Sequence, residues 1–134
     1  METPDILIVD DDADLRRTLF LLLEKSYKIV EAANGKDALR LLETNRPRLV
    51  LLDITMPEMN GIEVLRAARK LDETLRIVMV TSHQEIELAQ SALEAGAIAY
   101  LTKPFDADYI RAEVARLLAP PEKKDDGRPW RIVE

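Results

Sequence analysis

Short apolar runs that alternate with segments of helical spacing constrain this chain more than any other feature. Five runs rich in Ile, Val and Leu predict β-strands, and three of them are nearly continuous in apolar residues, as is typical of strands covered on both faces. The five runs are residues 6–9, 28–32, 49–54, 76–81 and 99–102. Between and after them, apolar residues recur at i, i+3 or i+4, which predicts amphipathic helices. This alternation favours a parallel sheet with helices on both faces.

Helix start and stop signals support the same segments. Asn60 precedes Glu63 by three residues and Ser82 precedes Glu85 by three, which is the spacing of a capping box. Gly96 follows the predicted fourth helix and indicates its end. The sequence therefore predicts where at least three of the helices begin or end.

The composition narrows the classes of protein to which this chain can belong. The net charge is −6 and no long basic stripe is present, so we expect neither direct nucleic-acid binding nor attraction to anionic membranes. There are no cysteines, which excludes disulfides, thiolate metal ligands and a cysteine nucleophile. No apolar stretch reaches the roughly 18 residues of a membrane span, and the N-terminus lacks a signal-peptide pattern. We therefore expect a cytoplasmic protein that does not contact a membrane.

The end of the sequence differs in composition from the rest. Residues 120–134 contain a Pro-Pro pair, then mixed charges and a glycine, which is typical of linkers and tails. Trp130 is an exception, because with its apolar neighbours it would dock on another surface. The sequence thus predicts one domain over residues 1–119 and a linker or C-terminal tail over residues 120–134. The tail either completes a single-domain protein or begins a linker to a further domain.

Polar side chains stand where four of the predicted strands end. Asp10 and Asp11 follow the first strand, and Asp53 lies at the end of the third. Thr81 ends the fourth strand and Lys103 follows the fifth. Open parallel sheets bind their ligands outside the carboxyl ends of the strands, near the point where the strand order reverses. The fold would therefore gather these side chains in one crevice.

Several carboxylates, a hydroxyl and an ammonium in one crevice indicate phosphoryl chemistry. Carboxylates that are held close together repel one another unless a cation is present, and a set of oxygen ligands favours Mg²⁺. One acid would then act as a nucleophile and form an acyl phosphate. Lys103 and Thr81 would supply the positive charge and the hydrogen-bond donor that the transferred group requires.

Each of these residues also has a purely structural explanation. The run from Asp10 to Asp12 would serve to cap the first helix, and Asp53 would be a turn residue at a strand end. Lys103 would be an ordinary surface lysine, and Thr81 is simply a good strand former. Only their coincidence at the ends of several strands favours the functional interpretation.

Four segments of the sequence resemble the receiver domain of two-component response regulators. They are ILIVDDD (6–12), LLDITMPEMNG (51–61), MVTSH (79–83) and YLTKPF (100–105). The resemblance extends over residues 4–118. It implies an α/β, flavodoxin-like (βα)₅ fold, which is a doubly wound parallel sheet with strand order 2-1-3-4-5.

The resemblance also implies roles for the acidic residues. Asp53 matches the phosphoacceptor, which takes a phosphoryl group from a histidine kinase or a histidine phosphotransfer protein. Asp10 and Asp11 match an acidic pair that holds Mg²⁺ together with Asp53 and the backbone carbonyl of Thr55. Such a domain is not an enzyme with a separate substrate, because it catalyses only its own phosphorylation and dephosphorylation.

Three further residues match the lysine and the switch residues of this family. Lys103 corresponds to the lysine that pairs with the phosphoryl oxygens, and its bond to Pro104 would be cis, as is usual there. Thr81 and Tyr100 match the switch hydroxyl and the switch aromatic. They would change the surface of the fourth helix, fifth strand and fifth helix, where output is read and where a homodimer would form.

Two other functions stay open. A phosphatase of the haloacid dehalogenase type also uses a strand-end aspartate, Mg²⁺, a threonine and a lysine. Such a phosphatase needs a second aspartate where Thr55 stands, and a cap domain that this length cannot hold. An interaction module that works without phosphorylation is the second alternative, and a crevice that did not bind Mg²⁺ would favour it.

The segment FLLL (20–23) is apolar around most of a helix. It predicts either a wide core-facing surface or an exposed Phe20 that helps to dock a kinase or a second copy of the chain. Helical spacing is compatible with both.

Overall fold

Five strands and five helices alternate along the chain in the computed structural model, which describes residues 3–118. The strands are β1 (Ile6–Val9), β2 (Ile29–Ala32), β3 (Leu49–Asp53), β4 (Ile77–Thr81) and β5 (Ala99–Thr102). The helices are α1 (Ala13–Leu23), α2 (Gly35–Thr44), α3 (Gly61–Leu71), α4 (Ile86–Glu94) and α5 (Ala107–Leu118). Each predicted strand is present, with its ends within one residue of the predicted ends. The predicted linker or tail, residues 120–134, lies outside the described residues.

The five strands form one parallel sheet in the order β2-β1-β3-β4-β5, which confirms the flavodoxin-like fold. The order reverses at β1, because the chain passes from β1 to β2 on one side and then returns to β3 on the other. The register aligns Val9 with Leu52 and Asp53 with Val80. The residues that follow these positions therefore meet at the carboxyl end of the sheet.

Two apolar layers cover the sheet, one on each face. Alternate strand residues point to opposite faces, so neighbours such as Leu51 and Leu52 belong to different layers. One layer packs against α2, α3 and α4, and the other packs against α1 and α5. Every residue of β1, β3 and β4 is buried, as predicted for strands covered on both faces. The ends of these central strands are therefore held in place by packing.

The helix caps agree with the sequence except at one position. Asn60 and Glu63 form a reciprocal capping box at the start of α3. Gly96 has a φ of 117° just after α4, a conformation that glycine adopts without steric penalty. The pair Ser82 and Glu85 opens a 3₁₀ turn rather than α4 itself. The Glu85 amide donates to the Ser82 carbonyl at 3.0 Å, and this i+3 hydrogen bond tightens the backbone before α4 begins.

The apolar segment of α1 divides between the core and the surface. Leu23 is buried, Phe20 and Leu22 are half-buried, and Leu21 is 53% exposed. Neither interpretation of this segment holds in full, because only part of it faces the core and Phe20 is not fully exposed. Among residues 3–118, no helix is both long enough and apolar enough to cross a membrane.

Candidate functional site

Three polar side chains are buried at the carboxyl end of the sheet. Asp10 follows β1, Asp53 ends β3 and Thr81 ends β4, and they are 2%, 3% and 0% exposed. Among the side chains that the structure describes, these are the only buried polar ones. Buried acids are rare in proteins unless they have partners. Their position at one point of the fold therefore indicates a site rather than ordinary packing.

Lys103 reaches this point from the loop between β5 and α5. Its Nζ lies 3.3 Å from Asp53 Oδ1 and 3.7 Å from Asp10 Oδ2. The Lys103 backbone amide donates to the Thr81 carbonyl at 2.7 Å, which holds the loop against the end of β4. The Lys103–Pro104 peptide bond is cis, as the resemblance implied. The strand ends and this loop thus bring four of the predicted residues together.

Three carboxylates lie close enough to share one cation. Asp10, Asp11 and Asp53 each offer an oxygen, and these oxygens lie within 4.8 Å of one another. Asp11 is exposed whereas the other two are buried, so a cation there would face both protein and solvent. Hard divalent ions that keep part of their water shell, above all Mg²⁺, suit such an oxygen set. The residues present therefore fit the Mg²⁺ that the resemblance implied.

The site buries more negative charge than Lys103 can neutralise. Burial, followed by the charge of Asp10, raises the pKa of Asp53 to about 7, although Lys103 opposes the shift. Burial also raises the pKa of Asp10, although a hydrogen bond from the Asp12 amide at 2.9 Å acts in the opposite direction. Burial by itself would lower the pKa of Lys103, but the two carboxylates outweigh it and raise that pKa. A bound cation would relieve this excess of negative charge.

The two predicted switch residues lie on neighbouring strands, Thr81 at the end of β4 and Tyr100 in β5. The Thr81 hydroxyl lies 3.1 Å from the Ser82 carbonyl oxygen and 3.4 Å from a carboxylate oxygen of Glu85. Its described hydrogen bonds are therefore made to these two groups and not to Asp53. Tyr100, in the neighbouring strand β5, is half-buried and packs against the apolar layer that faces α3 and α4.

The loop between β3 and α3 forms one wall of the site. Thr55 is exposed in this loop, and its hydroxyl donates a hydrogen bond to Glu85. At the end of the loop, the Gly61 amide donates to the Ile54 carbonyl at 2.7 Å. A Cβ on Gly61 would overlap the Asp53 carbonyl oxygen. Helix α3 therefore starts directly against the backbone of Asp53, and glycine makes that approach possible.

Two residues that contact the site could not be recognised from the sequence. Arg16 Nη1 donates to the Asp10 carbonyl oxygen at 2.6 Å, while Arg16 Nε pairs with Glu31 at 3.2 Å. Glu85 accepts from the Thr81 hydroxyl, although the sequence predicted it only as a capping residue. Arg16 lies six residues after Asp10, and Glu85 lies four after Thr81. Such spacings occur in every helical segment, so they could not have identified the contacts.

Comparison with known proteins gives the class to which this fold and site belong. The doubly wound sheet, with buried acids and a lysine at its carboxyl end, agrees with the fold and the site that the resemblance implied. The family model described as response regulator receiver domain matches residues 6–115. The chain therefore belongs to the response regulator receiver domain family, which acts in two-component signal transduction.

Individual relatives carry this domain in different contexts. The chain is 40% identical over 119 residues to sporulation initiation phosphotransferase F of Bacillus subtilis (strain 168). The alignment covers 88% of this chain and 96% of that protein. The chain is also 40% identical over 116 residues to regulatory protein AtoC of Escherichia coli (strain K12). That alignment covers 84% of this chain but 25% of AtoC. The solved receiver domain of NtrX from Brucella abortus matches with a TM-score of 0.81 at 34% identity, over 85% of this chain and 98% of that one. The domain thus forms nearly all of one relative and a quarter of another.

Proposed function

We propose that this chain receives a phosphoryl group on Asp53 from a histidine kinase or a histidine phosphotransfer protein. The position of Lys103, whose Nζ lies 3.3 Å from Asp53 Oδ1, carries the proposal. A buried carboxylate beside a fixed cation places a nucleophile next to the positive charge that a transferred phosphoryl group requires. The name of the relative sporulation initiation phosphotransferase F supports phosphotransfer as the activity.

Mg²⁺ is the cofactor that we propose. The carboxylates of Asp10, Asp11 and Asp53 would hold it, together with the backbone carbonyl of Thr55. When bound, Mg²⁺ supplies positive charge to the phosphoryl oxygens and to the crowded acids. Two observations support this choice of cofactor: the three carboxylates approach within 4.8 Å of one another, and the pKa of Asp53 is raised to about 7.

Side chains of the domain would perform the rest of the chemistry. An ionised oxygen of Asp53 would attack phosphorus, and the bond from phosphorus to the donor nitrogen would break, so that the donor imidazole leaves. Lys103 would pair with one oxygen of the transferred group, and Thr81 would donate its hydroxyl to another. Hydrolysis of the acyl phosphate would return the domain to its starting state. The domain would thus act on its own side chain and not on a separate substrate.

We propose that phosphorylation changes the surface formed by α4, β5 and α5. The new group adds roughly −1.5 to −2 charges, Thr81 would turn toward it, and Tyr100 would move inward. The burial of Thr81 at the end of β4 and the half-burial of Tyr100 in the neighbouring strand β5 support this coupling, because closely packed side chains cannot shift alone. Leu88 and Ile98 are 47% and 42% exposed near this surface, which suits a partner protein or a second copy of the chain. The phosphoryl group would shift an existing equilibrium between two arrangements.

The domain boundaries and the compartment are also proposals. We propose that residues 1–119 form the receiver domain and that residues 120–134 are a linker or tail. The family match ends at residue 115 and α5 ends at Leu118, which supports this boundary. The domain is nearly the whole of one relative, which supports a single-domain regulator. It is a quarter of another relative, which supports a linked output domain equally well. We propose the cytoplasm as the location, because a sequence without cysteines suits a reducing compartment.

Intact mass spectrometry tests the phosphoacceptor directly. The protein is incubated with Mg²⁺ and acetyl phosphate, and we expect the mass of one added phosphoryl group. Asp53→Asn and an EDTA-treated sample should show no adduct. Asp12→Asn is the matched aspartate control and should still be phosphorylated, because the Asp12 side chain caps α1 and Asn also caps helices well.

The same samples distinguish the alternative functions. An adduct that persists in Asp53→Asn would contradict the assignment of the phosphoacceptor. Sustained release of phosphate from a phosphate ester would favour a phosphatase. If no adduct forms, a Mg²⁺ titration followed by calorimetry decides, because a crevice that binds no Mg²⁺ would favour an interaction module that works without phosphorylation.

A further inference from the structure

Glu85 bridges two loops of the site, and the proposed phosphotransfer gives it no role. It ends the 3₁₀ turn between β4 and α4. One of its carboxylate oxygens accepts a hydrogen bond from the Thr55 hydroxyl in the loop after β3. The other lies 3.4 Å from the Thr81 hydroxyl and 3.3 Å from the Ser82 amide. One side chain thus connects groups that follow two different strands.

The Thr81 hydroxyl is already engaged in this arrangement. A hydroxyl has a single hydrogen to donate, and the acceptors within reach are the Glu85 carboxylate and the Ser82 carbonyl. Neither belongs to Asp53, which would carry the phosphoryl group. To donate to a phosphoryl oxygen, Thr81 must first leave these acceptors.

Glu85 also brings a negative charge close to the site. Burial would raise the pKa of its carboxyl, but hydrogen bonds from Thr55, the Ser82 amide and Thr81 outweigh burial and lower that pKa. The charge of Glu85 is near enough to contribute to the raised pKa of Lys103. A phosphoryl group is itself anionic, so the charge of Glu85 opposes its arrival.

We propose that Glu85 is a positioning residue that holds the Thr81 hydroxyl in the unphosphorylated arrangement and must release it when Asp53 is phosphorylated. Glu85 acts through Thr81 and does not touch the reacting atoms. The inference rests on the proposed function and deepens it, because it names the group from which the switch hydroxyl is released. Removing this acceptor should therefore favour the phosphorylated arrangement.

Binding of beryllofluoride, a stable mimic of the phosphoryl group on an aspartate, tests the inference at saturating Mg²⁺. Glu85→Gln keeps the size of the side chain and a capping acceptor but removes the charge. We expect its dissociation constant for beryllofluoride, measured by calorimetry, to be roughly three- to tenfold lower than that of the wild type. Glu85→Ala, which has no acceptor at this position, should show a change of the same sign. The affinity for Mg²⁺ alone should not rise, because loss of a nearby negative charge weakens cation binding.

Glu63→Gln is the matched control for Glu85→Gln. Glu63 occupies the same position in the capping box of α3, where it pairs with Asn60, and its described hydrogen bonds do not involve the site. This variant should bind beryllofluoride as the wild type does. Urea unfolding of each variant measures the cost of a weakened cap. If Glu85 only stabilised the fold, its replacement would weaken beryllofluoride binding. If Glu85 holds the Thr81 hydroxyl, its replacement strengthens that binding.

A double-mutant cycle with Thr81→Ala identifies the route of the effect. If Glu85 acts through the hydroxyl, the gain from Glu85→Gln shrinks in the Thr81→Ala background to the part that charge repulsion alone contributes. A gain that persists unchanged there would assign the effect to direct repulsion and overturn the positioning role. Affinity in Glu85→Gln equal to or weaker than that of the wild type would overturn the inference and leave the proposed function intact. If the wild type binds no beryllofluoride in Mg²⁺, the proposed function and this inference are both overturned.

Discussion

Lys103 holds its ammonium nitrogen 3.3 Å from Asp53 Oδ1. The same nitrogen lies 3.7 Å from Asp10 Oδ2, so one cation serves two buried carboxylates. Buried charges are tolerated when they are paired, and here one negative charge is left over. The measurable consequence is the pKa of Asp53, which burial and Asp10 raise to about 7.

Replacement of Lys103 with Ala should slow the phosphorylation of Asp53 by acetyl phosphate about 100-fold, because it removes a charge placed where the transferred group develops its own. A time course by intact mass spectrometry at fixed Mg²⁺ measures the rate. Lys103→Arg keeps the charge, so its phosphorylation rate should fall less than that of Lys103→Ala. Lys70→Ala, at an exposed lysine in the last turn of α3, should react at the wild-type rate. Equal rates for the two alanine variants would contradict the role of Lys103.

In the metal-free domain, the proton on Asp53 favours the folded state. This contribution to the free energy of unfolding should be lost as the pH rises from about 4 to about 7. The pKa of Asp53 is about 7 in the folded protein and about 4 in an unfolded chain, so the folded state binds this proton more tightly. The contribution is complete below the unfolded pKa and is lost as the pH rises through the folded one. It amounts to about 4 kcal/mol at most.

Urea unfolding in EDTA at several pH values tests this dependence. Residue 53 cannot ionise in Asp53→Asn. The free energy of unfolding of this variant should therefore increase relative to that of the wild type as the pH rises from about 4 to about 7. The comparison removes the contributions of the other carboxyl groups, because both proteins share them. A difference that stays constant over this range would show that Asp53 has an ordinary pKa.

Mg²⁺ should stabilise the domain through its three carboxylates. At a concentration 100-fold above the dissociation constant, linkage predicts a gain of about 2.7 kcal/mol in the free energy of unfolding. Asp11→Asn removes the exposed member of the set and should lose most of this gain. Asp12→Asn is the matched control, because Asp12 caps α1 by accepting from the Asp14 and Leu15 amides, and Asn keeps that role. Urea unfolding in MgCl₂, against NaCl of equal ionic strength, should separate the two variants; equal gains would indicate a non-specific effect.

Arg16 should stabilise the acidic loop, because its guanidinium joins the Asp10 carbonyl to Glu31. We expect Arg16→Ala to lower the free energy of unfolding by about 1 to 2 kcal/mol and to weaken Mg²⁺ binding, since Asp10 loses a backbone partner. Arg17→Ala removes the same charge from an exposed neighbour and should change both quantities little. Urea unfolding and Mg²⁺ calorimetry of the two variants measure the difference, and similar values for both would refute this role.

Most of the fold could be predicted from the sequence. The buried runs of β1, β3 and β4 are continuous in apolar residues, so their strands were predicted to within one residue. The order of the strands came from the resemblance, because apolar patterns do not say which strands pair. The start of α4 differed from the prediction, since the Ser82–Glu85 pair carries a short i+3 hydrogen bond that a capping pattern does not reveal.

The candidate site could be predicted in part. Asp10, Asp53, Thr81 and Lys103 were predicted at strand ends, and the structure brings them together there. Their roles in phosphotransfer and in Mg²⁺ binding stay predictions. Glu85 could not be assigned to the site, because its contact with the Thr81 hydroxyl depends on how the turn after β4 folds back.

The sequence by itself determined the alternation of strands and helices and the acids, hydroxyl and lysine at the strand ends, because burial pattern and turn chemistry are local properties of the chain. Only the tertiary structure decided which of these groups touch. Lys103 and Asp53 are 50 residues apart, and Thr55 and Glu85 are 30 apart. Such contacts depend on strand register and on the packing of loops against each other, and no local pattern encodes them.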